Sequence, residues 1–316
     1  MSKKIISVVI PVFNEEENVE RAYKAVKETF HNDISEEYDF EIIFTDNHSE
    51  DKTFEVISSL VEKDKRVRAV RFTRNFGFNK SLLTGYRLAK GDAAIQIDCD
   101  LQDPPRMFVE FIAHWEKGYD VVVGLRKERP EAKWLLALRK MFYRFLSNIS
   151  EDNLIIDGGD FRLVDKSILD KLRNMNVATP YVRGLVSTLS RNQIGIPYQR
   201  KQREFGQSKF PIIKLVGLAV DGIISHSVAP LRLTTLAGLC IGVLAVLLSF
   251  GYIVSRLVWG DVWPDGLATM LLLELFGIAI NAFFLGIIGE YLSRIYQQLR
   301  DHPITVVQEE LNLLEN

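Results

Sequence analysis

Cysteine is nearly absent: the 316-residue chain has two, Cys99 and Cys240. Cys99 stands between two aspartates and Cys240 inside a long apolar run, so neither placement suggests a disulfide, which fits a reducing compartment. An excess of one charge is absent too. The formal net charge is −2, which gives no reason to expect nucleic acid as a partner. No G-x-G-x-x-G follows the first apolar run, which disfavours a dinucleotide oxidoreductase, and no G-x-x-x-x-G-K-[ST] occurs, so the chain is not a P-loop enzyme. The first apolar run, Ile5–Val12, is short, holds Pro11 and leads into Asn14-Glu15-Glu16-Glu17. It reads as a first strand rather than a signal peptide.

Charge is also missing over a long stretch near the C-terminus. Between Arg232 and Arg256 there is none. The run Leu233–Ile253 is long enough to cross a hydrocarbon core of about 30 Å at about 1.5 Å per residue. A second run, Gly266–Gly289, is interrupted by one charge, Glu274. Two membrane spans are expected; the competing reading, a pair of buried core helices, needs charge-free runs of a length that soluble domains rarely contain. Asp261 and Asp265 lie between the runs, whereas Arg203, Lys209, Lys214 and Arg232 precede the first and Arg294 and Arg300 follow the second. Positive charge marks the cytoplasmic side. Both long ends are therefore expected in the cytoplasm, in a multi-pass protein of the inner (cytoplasmic) membrane, with Trp259 and Trp263 at an interfacial belt. Lys209–Ser225 reads as a helix lying on membrane lipid, with Phe210, Ile212 and Leu215 for the apolar side and Lys209 and Lys214 for headgroups. Glu274 and Asn281 are seven residues apart and share a helix face, with Gly277 between them. A polar contact between subunits of a homo-oligomer is expected there; a protonated Glu274, or a bond to Ser249 or Tyr252, are the alternatives.

Before the apolar runs, strand and helix patterns alternate. Ile5–Ile10, Phe40–Thr45, Val67–Phe72, Ala93–Ile97 and Tyr119–Gly124 read as strands. Asn14–Thr29, Thr53–Lys63, Lys80–Ala89 and Pro105–Glu116 read as helices, the first with acidic residues in its first turn. This implies an α/β fold with a mostly parallel sheet. Ligands of such sheets bind beyond the carboxyl ends of the strands, where Asn14-Glu15, Asp46-Asn47 and Asp98-Cys99-Asp100 fall. Two carboxylates one residue apart at a strand's end, followed by Pro104-Pro105, read either as a polar strand end or as a site for Mg²⁺ or Mn²⁺ on a diphosphate, since hard oxygen ligands suit those ions.

Val9-Ile10-Pro11-Val12-Phe13-Asn14-Glu15, Thr45-Asp46-Asn47-His48-Ser49-Glu50-Asp51 and Asp98-Cys99-Asp100-Leu101-Gln102-Asp103-Pro104-Pro105 resemble the successive motifs of family 2 glycosyltransferases with the A-type fold. Gly159-Asp160-Phe161-Arg162-Leu163, Arg183-Gly184-Leu185 and Arg203-Glu204-Phe205-Gly206-Gln207-Ser208-Lys209 are similar to the polyprenyl-phosphate branch. Two C-terminal spans point to bacterial enzymes that load glucose or a related sugar onto undecaprenyl phosphate. The resemblance covers nearly the whole chain. It implies a catalytic domain over residues 1–208, a juxtamembrane amphipathic segment over 209–230, two transmembrane helices over 231–290 and a cytoplasmic tail over 291–316.

The same resemblance implies roles. Pro11, Phe13, Glu15, Asp46, Asn47, Cys99 and Gln102 would line the nucleotide-sugar pocket. Asn47 departs from the family's usual aspartate: its amide oxygen can accept from a uracil N3–H, while its NH₂ adds donors. Within Asp46–Asp51, Ser49 or Asp51 could instead serve only to cap the next helix. Asp98 and Asp100 would hold the metal. Arg126 and Arg139 would meet the acceptor phosphate, or belong to a basic stretch that serves lipid attraction; Tyr143 stands where some relatives carry a serine. Arg203 and Lys209 match the ends of a mobile loop over the nucleotide. Asp157 and Asp160 flank Gly158-Gly159, either near sugar and acceptor or as a plain turn. The implied activity is metal-dependent, inverting transfer of a sugar, glucose from UDP-glucose, to polyprenyl phosphate; GDP-mannose, UDP-GlcNAc and UDP-aminoarabinose are alternative donors. A polysaccharide synthase is disfavoured because no Q-x-x-R-W occurs. A membrane adaptor without activity is disfavoured by the intact Asp98, Asp100 and Arg126.

Overall fold

The computed structural model describes residues 3–126, 158–177, 180–199, 229–259, 266–299 and 303–313. The chain divides into two units, one holding the sheet and its helices, the other the two long helices near the C-terminus.

The centre of the sheet is parallel. Strands β1 (Lys4–Val12), β2 (Tyr38–Asp46), β3 (Val67–Phe72) and β4 (Ala93–Gln96) pair in the order β4-β1-β2-β3. Helices α1 (Val19–Asn32), α2 (Thr53–Lys63) and α3 (Phe78–Leu88) connect them, and α4 (Met107–Trp115) follows. A strand covered on both faces must be apolar at successive positions, and β1 is: its two side-chain rows enter different cores. Ile6, Val8 and Ile10 meet residues of α1, α2 and α4, such as Val26, Ile57 and Phe108. Val9 meets residues of α3, such as Leu82 and Tyr86. The expected α2 and β3 have the bounds found.

Beyond β4 the sheet changes direction. β6 (Gly158–Asp165) runs antiparallel to both β4 and β5 (Val121–Arg126), and β5 pairs in parallel with β7 (Gln193–Tyr198). Helices α5 (Lys166–Asn174) and α6 (Val182–Leu189) lie between β6 and β7 in the chain and fill the core on the α3 side. Two further features depart from expectation. The acidic segment after β1 is not the start of a helix: α1 begins at Val19, and Asn14 to Glu16 are laced to the loop after β2 instead. The backbone N–H groups of Asn14 and Glu15 donate to Ser49 Oγ at 3.0 Å and Thr53 Oγ1 at 2.8 Å, and Asn14 Oδ1 accepts from Glu50 N at 2.9 Å. The segment expected as a tail contributes β8 (Val307–Leu311), antiparallel to β3, so the sheet order is β7-β5-β6-β4-β1-β2-β3-β8. Asn312 completes this edge by donating to the carbonyls of Lys65 and Val67.

The second unit contains α7 (Ala229–Trp259) and α8 (Leu267–Leu299). Large apolar side chains on both, among them Leu239, Leu247, Phe250, Phe276, Phe283 and Leu292, are exposed. By length and composition, one stretch among the described residues is able to cross a membrane, Phe276–Ser293; Thr234–Leu244 is a shorter apolar run. Asn281 Nδ2 donates to Gly277 O at 3.0 Å within α8.

The seat of α3 on the sheet allows no side chain at Gly85, where a Cβ would stand 2.3 Å from Val9 Cγ1. Gly85→Ala is expected to destabilise the domain by about 1–3 kcal/mol. Thermal unfolding of the purified variant measures this; an unchanged midpoint would contradict so close an approach.

Candidate active site

Parallel strands deliver their carboxyl ends to one side of a sheet, and an antiparallel neighbour delivers its amino end there. β1, β2 and β4 do the first and β6 the second. The pairing of Gln96 with Arg162, continued by two residues, brings Asp98 level with Asp160. The backbone turns sharply where these strands end. Asn14 (φ 54°), His48 (φ 64°) and Leu101 (φ 53°) adopt the left-handed conformation shortly after β1, β2 and β4. Few non-glycine residues do so, and such strain concentrates at functional sites.

At the end of β4, Asp98 Oδ1 accepts from Gln96 Nε2 at 2.8 Å, and Asp100 Oδ1 accepts from the Gln102 backbone N–H at 3.1 Å. Burial raises the Asp98 carboxyl to about 6, and the charges of Asp103, Asp100 and Asp160 add to the rise, with Arg126 opposing it. Four carboxylates thus act on one locus. A divalent cation there would offset the repulsion that the other three exert on Asp98. The donor set, carboxylate oxygens with an amide beside them, suits Mg²⁺ or Mn²⁺. Among the described residues no group of three or more His, Cys, Asp or Glu is arranged to hold a metal alone. Cys99, between the aspartates, is buried, and burial pushes its thiol up.

Arg126 ends β5, directly paired with Tyr198 on β7. Its Nη2 lies 3.3 Å from Asp103 Oδ2, and its Nε donates to the Tyr198 hydroxyl at 3.3 Å. On β6, Asp160 forms an ion pair with Arg183 of α6 at 2.9 Å. The buried Arg162 guanidinium donates to Gly159 O at 2.8 Å, and burial lowers its pKa. The sequence reading missed Asp103, Tyr198 and the Asp160–Arg183 pairing. Asp103 and Arg183 lie in a loop and on a helix, and their partners, Arg126 and Asp160, are distant in sequence, so the pairings come from the tertiary fold.

On the β2 side, Asp46 is fully buried and accepts from the backbone N–H of Ser49 at 3.1 Å and from its hydroxyl; Arg71 Nε lies 3.5 Å from its other oxygen. Burial pushes this carboxyl up against those contacts. Ser49 therefore serves Asp46 and does not cap α2. Asp51 does serve α2, accepting from Thr53 N at 2.9 Å. Asn47 Oδ1 accepts from Phe76 N at 3.2 Å, so one lone pair is taken before any ligand arrives. Pro11 is buried in β1, Phe13 is exposed, and Glu15 Oε2 accepts from Asn18 Nδ2 at 2.6 Å. Gln102 is buried. Asp157, Arg139, Tyr143, Arg203 and Lys209 lie outside the described residues.

A sheet with a parallel centre and paired aspartates after its fourth strand defines an A-type glycosyltransferase-like fold. Residues 7–173 match the family model for glycosyl transferase family 2, and the chain belongs to that family of enzymes. It is 35% identical to the uncharacterized glycosyltransferase YkcC of Bacillus subtilis (strain 168), over 98% of this chain and 95% of that one. It is 33% identical to the SfII prophage-derived bactoprenol glucosyl transferase of Shigella flexneri, over 96% of this chain and 97% of that one. Among solved structures, glucosyl-3-phosphoglycerate synthase from Mycobacterium tuberculosis aligns with a TM-score of 0.44 and 18% identity, over 70% of this chain and 78% of that one, a likeness too loose to carry an argument.

The acidic locus sets a pH rule. A carboxyl raised from 3.8 to about 6 favours the native state fully below about 3.8, and that contribution is lost as pH rises through about 6. A cation bound to ionised Asp98 reverses the loss. Adding Mg²⁺ to chelator-treated protein is therefore expected to raise the unfolding midpoint more at pH 7.5 than at pH 5. Thermal unfolding at the two pH values checks this, and equal shifts would contradict it.

Proposed function

We propose that the protein transfers glucose from UDP-glucose to a polyprenyl phosphate, inverting the anomeric carbon, at the cytoplasmic face of the inner membrane. The observation that carries this reading is the acidic locus of Asp98 and Asp100 beside the guanidinium of Arg126 at the same strand ends. Full-length similarity to a relative named bactoprenol glucosyl transferase supports glucose and a polyprenyl carrier.

Asp98 and Asp100 would hold Mg²⁺ or Mn²⁺, with Gln102 beside them. That ion, when bound, neutralises charge developing on the leaving nucleoside diphosphate. Arg126 binds the acceptor phosphate through its free edge, with Arg139 and Tyr143 proposed as further contacts. A lipid phosphate is already ionised at neutral pH, so it attacks without first losing a proton to a base. Asp160, held by Arg183, faces the sugar hydroxyls, and Asp157 is proposed beside it. Phe13 offers an exposed ring against the base, with Pro11, Glu15 and Asp46 shaping the pocket and Cys99 closing its floor. Asn47 presents its NH₂ to a uracil carbonyl oxygen or its second lone pair to N3–H. Arg203 and Lys209 are proposed as further contacts of the diphosphate.

The exposed apolar surfaces of α7 and α8 support two membrane spans. Glu274 is exposed on α8, where a carboxylate facing lipid costs at least a few kcal/mol. That supports a contact between subunits of a homo-oligomer, to which Asn281, with one amide N–H bonded to Gly277 O, would bring its second donor and its acceptor oxygen.

Purified protein given undecaprenyl phosphate and Mg²⁺ is expected to make a lipid-linked sugar from UDP-glucose, and little from GDP-mannose, UDP-GlcNAc or UDP-aminoarabinose. Asp98→Asn should lower the rate at least about a hundredfold, because the lost charge stabilisation amounts to several kcal/mol. Extraction of labelled glycolipid measures both. A different preferred donor would overturn the glucose assignment, and absence of lipid product with every donor would overturn the acceptor. In whole cells, a cysteine introduced at Gly260 is expected to react with an impermeant thiol reagent and one at Glu37 not to; the reverse pattern contradicts the proposed topology.

A further inference from the structure

Arg126 is held in a slot whose construction exceeds what a surface arginine needs. Asp103 is 1% exposed and Tyr198 4% exposed, while the Arg126 side chain keeps 36% of its surface open. The Tyr198 hydroxyl donates its proton to Asp103 Oδ1 and accepts from Arg126 Nε at 3.3 Å; Arg126 Nη2 reaches Asp103 Oδ2 at 3.3 Å. The three groups close a ring. A guanidinium has five N–H bonds, and the ring uses two of them. The three that remain include both on Nη1, on the edge away from Tyr198.

Packing fixes the ring from the sides. Tyr198 is the register partner of Arg126, and its aromatic ring meets Phe161 edge-on at 5.5 Å. Gly124 admits that ring: a Cβ there would stand 2.9 Å from Tyr198 Cε1 and 3.0 Å from Phe161 Cδ1. Gly159 lies under the guanidinium, where a Cβ would come 3.5 Å from Nε and Nη2. The ring also answers an electrostatic problem. Asp98 and Asp100 attract any nearby cationic side chain, and a guanidinium drawn onto them would compete with a metal ion. Asp103 supplies Arg126 with a counter-charge of its own at 3.3 Å.

We infer that Asp103 and Tyr198 are positioning residues for acceptor use, fixing Arg126 in one orientation with an edge left for the lipid phosphate. This rests on the proposed role of Arg126 toward the acceptor. Neither residue touches the reacting atoms.

Tyr198→Phe keeps the ring and its packing and removes only the hydroxyl. It is expected to raise the KM for undecaprenyl phosphate about tenfold or more, the effect of one hydrogen bond to a charged group. UDP affinity in Mg²⁺ and the unfolding midpoint should stay as in the parent. Asp103→Asn, which removes the counter-charge, should act in the same direction and more strongly. In an Arg126→Lys background, Tyr198→Phe should add little, because the ring is already broken. If Arg126→Ala raises the acceptor KM but Tyr198→Phe and Asp103→Asn do not, the clamp is overturned and the role of Arg126 stands. If Arg126→Ala itself leaves acceptor KM unchanged, both fall. Loss of UDP affinity or of thermal stability in Tyr198→Phe, in proportion to its loss of acceptor use, would make the ring a structural support and overturn the inference.

Discussion

Repulsion among Asp98, Asp100, Asp103 and Asp160 is the constraint around which the rest of the site is arranged. Strand direction forces it, since β4 ends where β6 begins. The protein's own cations answer it unevenly. Asp160 has Arg183 and Asp103 has Arg126, whereas Asp98 accepts from the amide of Gln96 and is pushed up to about 6. The strain of like charge is therefore concentrated on Asp98, at the end of β4. Arg126 shows the opposite balance. Burial works to lower its pKa, but the Asp103 charge and the Tyr198 hydrogen bond outweigh that and hold it above its ordinary value, so it stays charged.

The β2 side of the site is built by a different device. Three loops are stitched together by side-chain to backbone hydrogen bonds: Asn14 to the Ser49–Glu50 turn, Ser49 to Asp46, and Phe76 to Asn47. Each bond satisfies a backbone N–H that has left its strand and has no ladder partner. The edge beyond is steadied by β8, whose neighbour Val306 accepts from Thr73 N at 3.0 Å just after β3. Residues after the long helix α8 thereby support the turn after β3, whose Phe76 N–H donates to Asn47.

Much of this was legible in the sequence where the signal is local. β1, β3 and α2 follow from apolar periodicity, and the placement of Asp46 and Asp98 follows from parallel strands ending together. What depends on pairing was not legible. Glu15 to Glu17 have the composition of a helix's first turn, yet hydrogen bonds from a loop thirty-odd residues away hold that segment outside α1. Val307–Leu311 has apolar residues only at its two ends, so it carries no strand pattern; it is an edge strand because β3 offers an open ladder. Tyr198 gives no hint of function in sequence, because its meaning comes from standing opposite Arg126 in the register of β5 and β7.

We propose that the carboxylates at the end of β4 form a nucleoside-diphosphate site only in company with a divalent cation. Titration of UDP into the purified protein by calorimetry at neutral pH, once with Mg²⁺ or Mn²⁺ and once with chelator, tests it most directly. The account predicts saturable binding with the metal and none measurable without it. Equal affinity in chelator would contradict it.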